Sequence, residues 1–165
     1  MDSVIYTDLQ IEEFLKEKKL VKNPKARWSE QRRSKRRNFD LFSIDGRRRY
    51  TLYIRQNMLL PENFSCGLRI EISGKEPVTL IRYNGGDHPH ENPLEGEDVS
   101  FHCHIHRATE RYMELGKKPE HYASVTDRYT CCEGALRCLL SGCNIAGIQP
   151  PEIDATRDMF YDDEP

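Results

Sequence analysis

Apolar and polar side chains alternate in five short runs between residues 39 and 107. In the second run, for example, Tyr50 and Leu52 lie on one side and Thr51 and Tyr53 on the other. A period of two is the pattern of a β-strand with one buried face, and Asp45-Gly46 is a strong hairpin turn signal between the first two runs. The pattern therefore predicts an antiparallel meander whose strands lie within residues 39–45, 47–57, 66–74, 77–85 and 100–107.

Two other segments have the apolar spacing of amphipathic helices. In residues 8–20, Ile11 and Leu15 share one side, and Thr7 stands at the N-cap position. The second helix is predicted within residues 126–145, where leucines and cysteines recur at helical spacing. Strands followed by a helix predict an α+β fold, with an antiparallel β-meander of about five strands and an N-terminal and a C-terminal helix packed on one face.

The length of the chain and the position of its polar segments predict one core domain. A chain of 165 residues corresponds to about one domain, and its polar residues are concentrated towards the two ends. We predict an N-terminal helix and basic arm at residues 1–38, a single α+β core domain at residues 39–148, and an acidic, flexible tail at residues 149–165.

The sequence predicts a cytoplasmic protein that does not enter a membrane. No run approaches the roughly 20 apolar residues of a membrane span, and the N-terminus lacks the layout of a signal peptide. The six cysteines are therefore expected to be free thiols. Four of them lack the paired spacing of a zinc ribbon and are interpreted as small buried helix residues. These four are Cys131, Cys132, Cys138 and Cys143.

Basic residues are concentrated in one part of the chain, which we call the basic segment. Residues 16–55 contain 15 Lys and Arg against 4 Asp and Glu, although the whole chain has a net charge of -2. Such a density is typical of a surface that contacts phosphate backbones, and the alternative is a solvated arm. We predict that RNA or another polyanion binds to Arg32, Arg33, Lys35, Arg36, Arg37, Arg47, Arg48 and Arg49.

Five of the six histidines fall between positions 88 and 106. His104 and His106 would share one face of the fifth strand with His102, while Ile105 points the other way. The loop before this strand, residues 84–98, is rich in Gly, Pro, Asn and acidic residues, and long ordered loops between paired strands tend to be functional. We expect the loop to fold back, so that His88, His90 and His104 converge.

The segments LIRYNGGDHPHENP and FHCHIH carry a resemblance to known families. They are similar to the TumE-like toxins of type II toxin-antitoxin pairs, which have an R-Y-D-N-x-P-H-H segment followed by an H-x-K-H or H-H-x-H segment. The match covers about 30 of the 165 residues, and Asn84 stands where those toxins have Asp. A closer resemblance, from Glu12 to Asn144, is to an uncharacterised prokaryotic family with a P-H-x-N and H-x-H-I pattern, and it implies no established activity.

The toxin resemblance implies a ribonuclease and an antitoxin-like protein partner. RNA cleavage without a metal or other cofactor needs a base, an acid and a cation for the phosphate charge. The histidine cluster supplies candidates for the base and the acid, and an arginine supplies the cation. The predicted catalytic residues are His88, His90, His104, His106 and Arg82.

Two other hypotheses fit the same residues. His102, His104 and His106, joined by His88, His90 or Asp87, are a candidate zinc site, because three histidines with an open position form catalytic zinc centres. Alternatively the histidines have a structural or recognition role, and the protein is a non-enzymatic regulator that binds nucleic acid or another protein.

Overall fold

The computed structural model describes residues 3–151, which form one mixed sheet of nine strands with three helices. The α+β class is confirmed, but the sheet has more strands than predicted. The four additional strands have only two or three residues each, which is too short for an alternating pattern to be recognised. The elements are α1 (Asp8–Lys16), β1 (Lys19–Val21), β2 (Ser29–Gln31), β3 (Ser34–Ser43), β4 (Arg49–Asn57), β5 (Phe64–Glu71), β6 (Val78–Asn84), β7 (His104–Arg107), α2 (Glu110–Glu114), β8 (Ala123–Val125), α3 (Cys132–Gly142) and β9 (Ile145–Ala146).

The strands are ordered β8-β7-β6-β5-β4-β3-β1-β9, and β2 pairs with the first residues of β3. Strands β3 to β7 are the five consecutive antiparallel strands of the meander. The one parallel pair is β1 with β9, which places the strand after α1 beside the strand after α3. Residues 152–165, which contain most of the predicted acidic tail, lie outside the described residues.

The predicted basic arm is wrong for residues 29–38, because these residues form a hairpin and the first half of β3. Strand β3 therefore crosses the boundary predicted after residue 38. Arg32 and Arg33 form the tight turn, with φ angles of 50° and 68°. A two-residue turn with two positive φ angles normally has Asn-Gly, so the turn carries no sequence signal here. The first half of the strand, residues 34–38, has polar side chains on both faces, so it lacks the apolar alternation that marks a strand.

The apolar side chains of the meander lie on one face of the sheet, under the helices. Leu52 and Leu68 are paired across β4 and β5 and are fully buried. Helix α3 packs on β5 and β6 as predicted, and Leu139 of α3 and Ile11 of α1 belong to the same core. Burying each such side chain stabilises the fold by about 1.5–3 kcal/mol. The opposite face of the meander is polar.

The strand register aligns polar side chains in two rows across this opposite face, which we call the polar face. Each row crosses β3, β4, β5, β6 and β7 in that order. The first row is Arg36, Arg55, Ser65, Asn84 and His104, and the second is Asn38, Tyr53, Gly67, Arg82 and His106.

A buried lysine joins the ends of two helices. The Nζ atom of Lys19 donates to the carbonyl oxygens of Leu15 (3.0 Å), Glu17 (2.8 Å) and Cys143 (2.8 Å). We expect Lys19→Met to lower the free energy of unfolding at pH 7 by about 3 kcal/mol, because each buried carbonyl left without a donor costs about 1–3 kcal/mol. Urea unfolding of both proteins measures this difference.

Lys18→Met is the matched control, because Lys18 is exposed. An equal loss of unfolding free energy in both variants would contradict the stabilising role of the three Lys19 hydrogen bonds. Burial lowers the pKa of Lys19 to about 8, whereas its pKa in the unfolded chain is about 10.4. Between these values the unfolded chain binds more protons, so the wild type gains stability relative to Lys19→Met as the pH rises through this window.

Candidate histidine site

The loop between β6 and β7 folds back on itself and brings its two histidines to the sheet. The amide of Val99 donates to the carbonyl of His90 at 2.9 Å, and the amide of Phe101 donates to the carbonyl of His88 at 3.2 Å. The amide of His90 donates to Oγ of Ser100 at 2.9 Å. The loop is therefore held by its own backbone pairing, and both histidines have defined positions.

Asn92 anchors the loop to the neighbouring strand β8. Its side chain is fully buried; Nδ2 donates to the carbonyl of Ala123 and Oδ1 accepts from the amide of the same residue, both at 2.8 Å. These two bonds fix the orientation of the amide group. Nε2 of His90 lies 3.1 Å from Oδ1 and must therefore donate to it, which leaves Nδ1 of His90 outside this hydrogen bond.

Five imidazole rings lie together at the β6–β7 end of the polar face, and we call them the histidine cluster. The ring of His104 is centred 4.9 Å from that of His88, 5.8 Å from that of His90 and 4.9 Å from that of His106. The predicted convergence of His88, His90 and His104 is thus confirmed. His121, which follows α2, is the fifth member, with its ring 5.2 Å from that of His90.

His102 does not join the cluster, so the predicted ligand set of His102, His104 and His106 is wrong. Strand β7 begins at His104, and the alternation that would have placed His102 on the same face does not extend back to it. The His102 side chain is exposed, and its Nδ1 donates to the carbonyl of Ser100 at 2.9 Å.

The hydrogen bonds of two buried histidines fix their tautomers. Nδ1 of His104 donates to the carbonyl of His102 at 2.7 Å, and Nδ1 of His106 donates to the carbonyl of Glu120 at 2.9 Å. Nε2 of each ring is therefore an unprotonated nitrogen. Together with His88, these residues form the one group of potential metal ligands identified within residues 3–151, and their ligand atoms all lie within 4.8 Å of one another.

Burial keeps these three imidazoles neutral. Desolvation lowers the pKa of His104 to about 4 and that of His106 to about 2, and the positive charge of Arg82 adds to the shift at His106. Desolvation and then Arg82 also lower the pKa of His88. Neutral imidazoles are ligands for transition metals, but they do not act as general acids near pH 7.

Two further side chains of the rows contact the histidine cluster. Nδ2 of Asn84 lies 3.2 Å from Nε2 of His88 and 3.5 Å from Nε2 of His104. Arg82, paired with His106 across β6 and β7, lies 3.6 Å from the buried carboxylate of Glu120. The Nε atom of Arg82 is buried and has no hydrogen-bond partner among the described residues.

The basic segment does not form one surface. Lys35 and Arg37 lie against Trp28 on the face opposite the histidines, and Arg48 forms an ion pair with Glu17 at 2.7 Å. Arg36 lies on the polar face. Arg32 and Arg33 are in the exposed turn before β3, whereas Arg47 and Arg49 lie at the other end of β3 and β4. The predicted single nucleic-acid surface is therefore divided between two faces and two ends of the sheet.

The group of potential metal ligands found among the described residues contains no cysteine. Cys66, Cys132 and Cys143 are buried free thiols. Burial raises the pKa of the Cys132 thiol to about 12 and that of Cys143 to about 11, so both thiols are protonated near pH 7. The prediction of small buried helix residues is confirmed for Cys132, while Cys143 caps the helix.

The fold and the cluster define an α+β protein with a histidine-centred site on the polar face of its sheet. The chain belongs to a family of unknown function, DUF6978, which it matches over residues 6–133, and this span includes all five clustered histidines. No curated protein and no solved structure matches the chain. None of the helices within residues 3–151 is long and apolar enough to pass through a bilayer.

Proposed function

We propose that this protein binds a divalent transition metal, zinc above all, through the imidazoles of His88, His104 and His106. The observation that carries the proposal is the convergence of three ligand nitrogens within 4.8 Å. In each of the two buried rings, those of His104 and His106, the Nδ1–H group donates to a backbone carbonyl of its own. This second hydrogen bond is the usual means by which proteins orient a metal-binding histidine and fix its tautomer.

The donor set suits zinc in composition and dimensions. Imidazole nitrogens favour zinc and other late first-row metals, whereas magnesium and calcium prefer oxygen ligands. Zinc–nitrogen bonds of 2.0–2.1 Å place tetrahedral ligand atoms about 3.4 Å apart. The longest of the three separations between ligand nitrogens would therefore shorten by up to about 1.4 Å on binding. His88 lies on the loop, whereas His104 and His106 are both on β7.

The number of ligands favours a catalytic rather than a structural centre. Zinc held by three protein ligands keeps a fourth position for water and lowers the pKa of that water to about 7, which is the chemistry of metal-assisted hydrolysis. His90 stands next to the three ligands, with its ring 4.6 Å from that of His106 and its Nε2 engaged with Asn92. It is therefore the candidate base beside the metal.

Metal-independent RNA cleavage is supported less well by the same residues. That mechanism needs one protonated imidazole as the acid, and burial disfavours protonation of His88, His104 and His106. The toxin-like ribonuclease activity and the antitoxin-like partner implied by the motif resemblance stay predictions.

Elemental analysis of purified protein tests the proposal. After dialysis against zinc and then against metal-free buffer, we expect about one zinc per chain in the wild type and His102→Ala, and less than about one tenth in His88→Ala. His102→Ala is the matched control, because it removes an exposed histidine outside the cluster. His88 is only partly buried, so its replacement should leave the sheet intact. Equal zinc in all three proteins, or none in the wild type, would overturn the proposal.

A further inference from the structure

Four arginines of the polar face lie along one groove that reaches the histidine cluster. The groove has a volume of about 490 Å³, and His88 stands at its wall together with Asn84. It begins at β3 and crosses β4, β5 and β6. From β3 to His104 on β7 is four strand spacings, or about 19 Å. The four arginines are Arg36, Arg55, Arg69 and Arg82.

Positive charge in this groove is only partly compensated. Arg36 and Arg55 are directly opposite each other on β3 and β4, and like charges in this position destabilise a sheet. Neither forms an ion pair with an acidic residue anywhere in residues 3–151; Arg55 donates instead to Oδ1 of Asn63 at 2.8 Å. An anion bound between the two guanidinium groups would relieve this repulsion.

The groove also has the side-chain types that contact unpaired bases. The ring of Tyr53 lies over Gly67, where a β-carbon would overlap it, so the glycine makes room for the tyrosine beside Arg82. Tyrosine rings and guanidinium planes on an open sheet face stack on the bases of single strands. Arginine also binds phosphate through two parallel hydrogen bonds.

We propose that this groove binds the phosphodiester backbone of a single-stranded nucleic acid and leads it to the histidine cluster. A small phosphorylated molecule would occupy one or two of the arginines, whereas four cations distributed over four adjacent strands match a repeating polyanion. The inference rests on the proposed function, since it names the substrate class that the metal centre would receive. RNA and DNA share this backbone chemistry, and the experiment distinguishes them.

Binding of fluorescent 12-nucleotide RNA and DNA strands of the same sequence tests the inference, with EDTA present throughout so that no metal-dependent cleavage occurs. We expect Arg36→Gln/Arg55→Gln to weaken binding about tenfold and to reduce the salt slope of log Kd by about 1.4, since each lost phosphate contact accounts for about 0.7. Binding of either single strand with this loss in the variant supports the inference, and the tighter of the two strands identifies the nucleic acid. Equally tight binding of a duplex of the same sequence would overturn it.

Lys18→Gln/Lys75→Gln is the matched control. It removes the same charge from two exposed lysines at the other end of the sheet, and we expect its affinity to stay within about twofold of the wild type. An equal loss in both double variants would overturn the groove in favour of a diffuse charge effect. Arg36→Lys/Arg55→Lys keeps the charge without the bidentate geometry, and we expect it to bind with intermediate affinity.

Zinc content measured on the same samples separates the two proposals. Normal zinc in Arg36→Gln/Arg55→Gln with the expected loss of binding supports both. A second outcome is a wild type that binds no zinc but does bind nucleic acid, with this binding lost in Arg36→Gln/Arg55→Gln. That outcome overturns only the metal site. Zinc in a wild type that binds neither RNA nor DNA overturns only the groove.

Discussion

Zinc at a hundredfold excess over its dissociation constant is expected to raise the free energy of unfolding of the wild type by about 2.7 kcal/mol. The reason is that the three ligand nitrogens converge only in the folded sheet, where β6–β7 pairing and the loop bring His88 to His104 and His106. For a chain of this length the gain corresponds to an increase in Tm of about 5–11 °C. Thermal unfolding with zinc and with EDTA measures it.

The histidine variants give this prediction its controls. His88→Ala should lose the zinc-dependent increase in Tm, while its Tm in EDTA stays close to that of the wild type, because His88 is only partly buried on a loop. His102→Ala should keep the full increase. The same increase in His88→Ala as in the wild type would show that zinc binds elsewhere and would contradict the proposed ligands.

Asn92→Ala is expected to lower the free energy of unfolding by about 3 kcal/mol, even though it is a loop substitution. The Asn92 side chain pairs with both the amide and the carbonyl of Ala123 in a fully buried position. Alanine leaves both groups without a partner, and each buried unpaired group costs about 1–3 kcal/mol. Loss of this anchor also loosens the segment that carries His88, so zinc affinity should fall by at least about tenfold. Urea unfolding and zinc titration measure the two effects.

Glu91→Ala provides the comparison for Asn92→Ala. Glu91 is the adjacent residue of the same loop, and its side chain is exposed. Substitutions of exposed side chains usually alter the free energy of unfolding by less than about 0.5 kcal/mol. If Asn92→Ala were as stable as Glu91→Ala, the loop would not depend on its anchor in β8. The described role of Asn92 would then be wrong.

The five meander strands, β3 to β7, were predictable because core side chains alternate with polar ones over at least part of each strand, which imposes a period of two on the sequence. The short strands had no such pattern. Strand β1, for example, is specified by pairing with residues twenty or more positions away in β3. The first half of β3 was misread for a different reason: both of its faces are polar there, and its turn at Arg32-Arg33 lacks the glycine or asparagine that marks such turns.

The histidine cluster was predictable as far as it is local in sequence. His88, His90 and His104 are joined by one loop, so their convergence followed from chain connectivity. His102 and His121 show the limit of such a prediction. His102 is near in sequence but lies just before strand β7 begins and is not part of the cluster. His121 is distant in sequence but joins the cluster because the segment after α2 brings its ring to that of His90. The alternation of β4 puts Arg55 on the side of its strand that carries Thr51 and Tyr53. Only the strand register could show that it shares a row with His104.

The lengths of the outermost strands bear on how this protein behaves at high concentration. Within residues 3–151, the outermost strands of the sheet are β2, β8 and β9, which have three, three and two residues. Longer strands such as β4 and β5 have neighbours on both sides. An exposed strand edge is a template for pairing with a second chain, and short edges offer few backbone groups for it. The wide sheet is thereby protected against edge-to-edge aggregation, although much of its polar face stays open to a ligand.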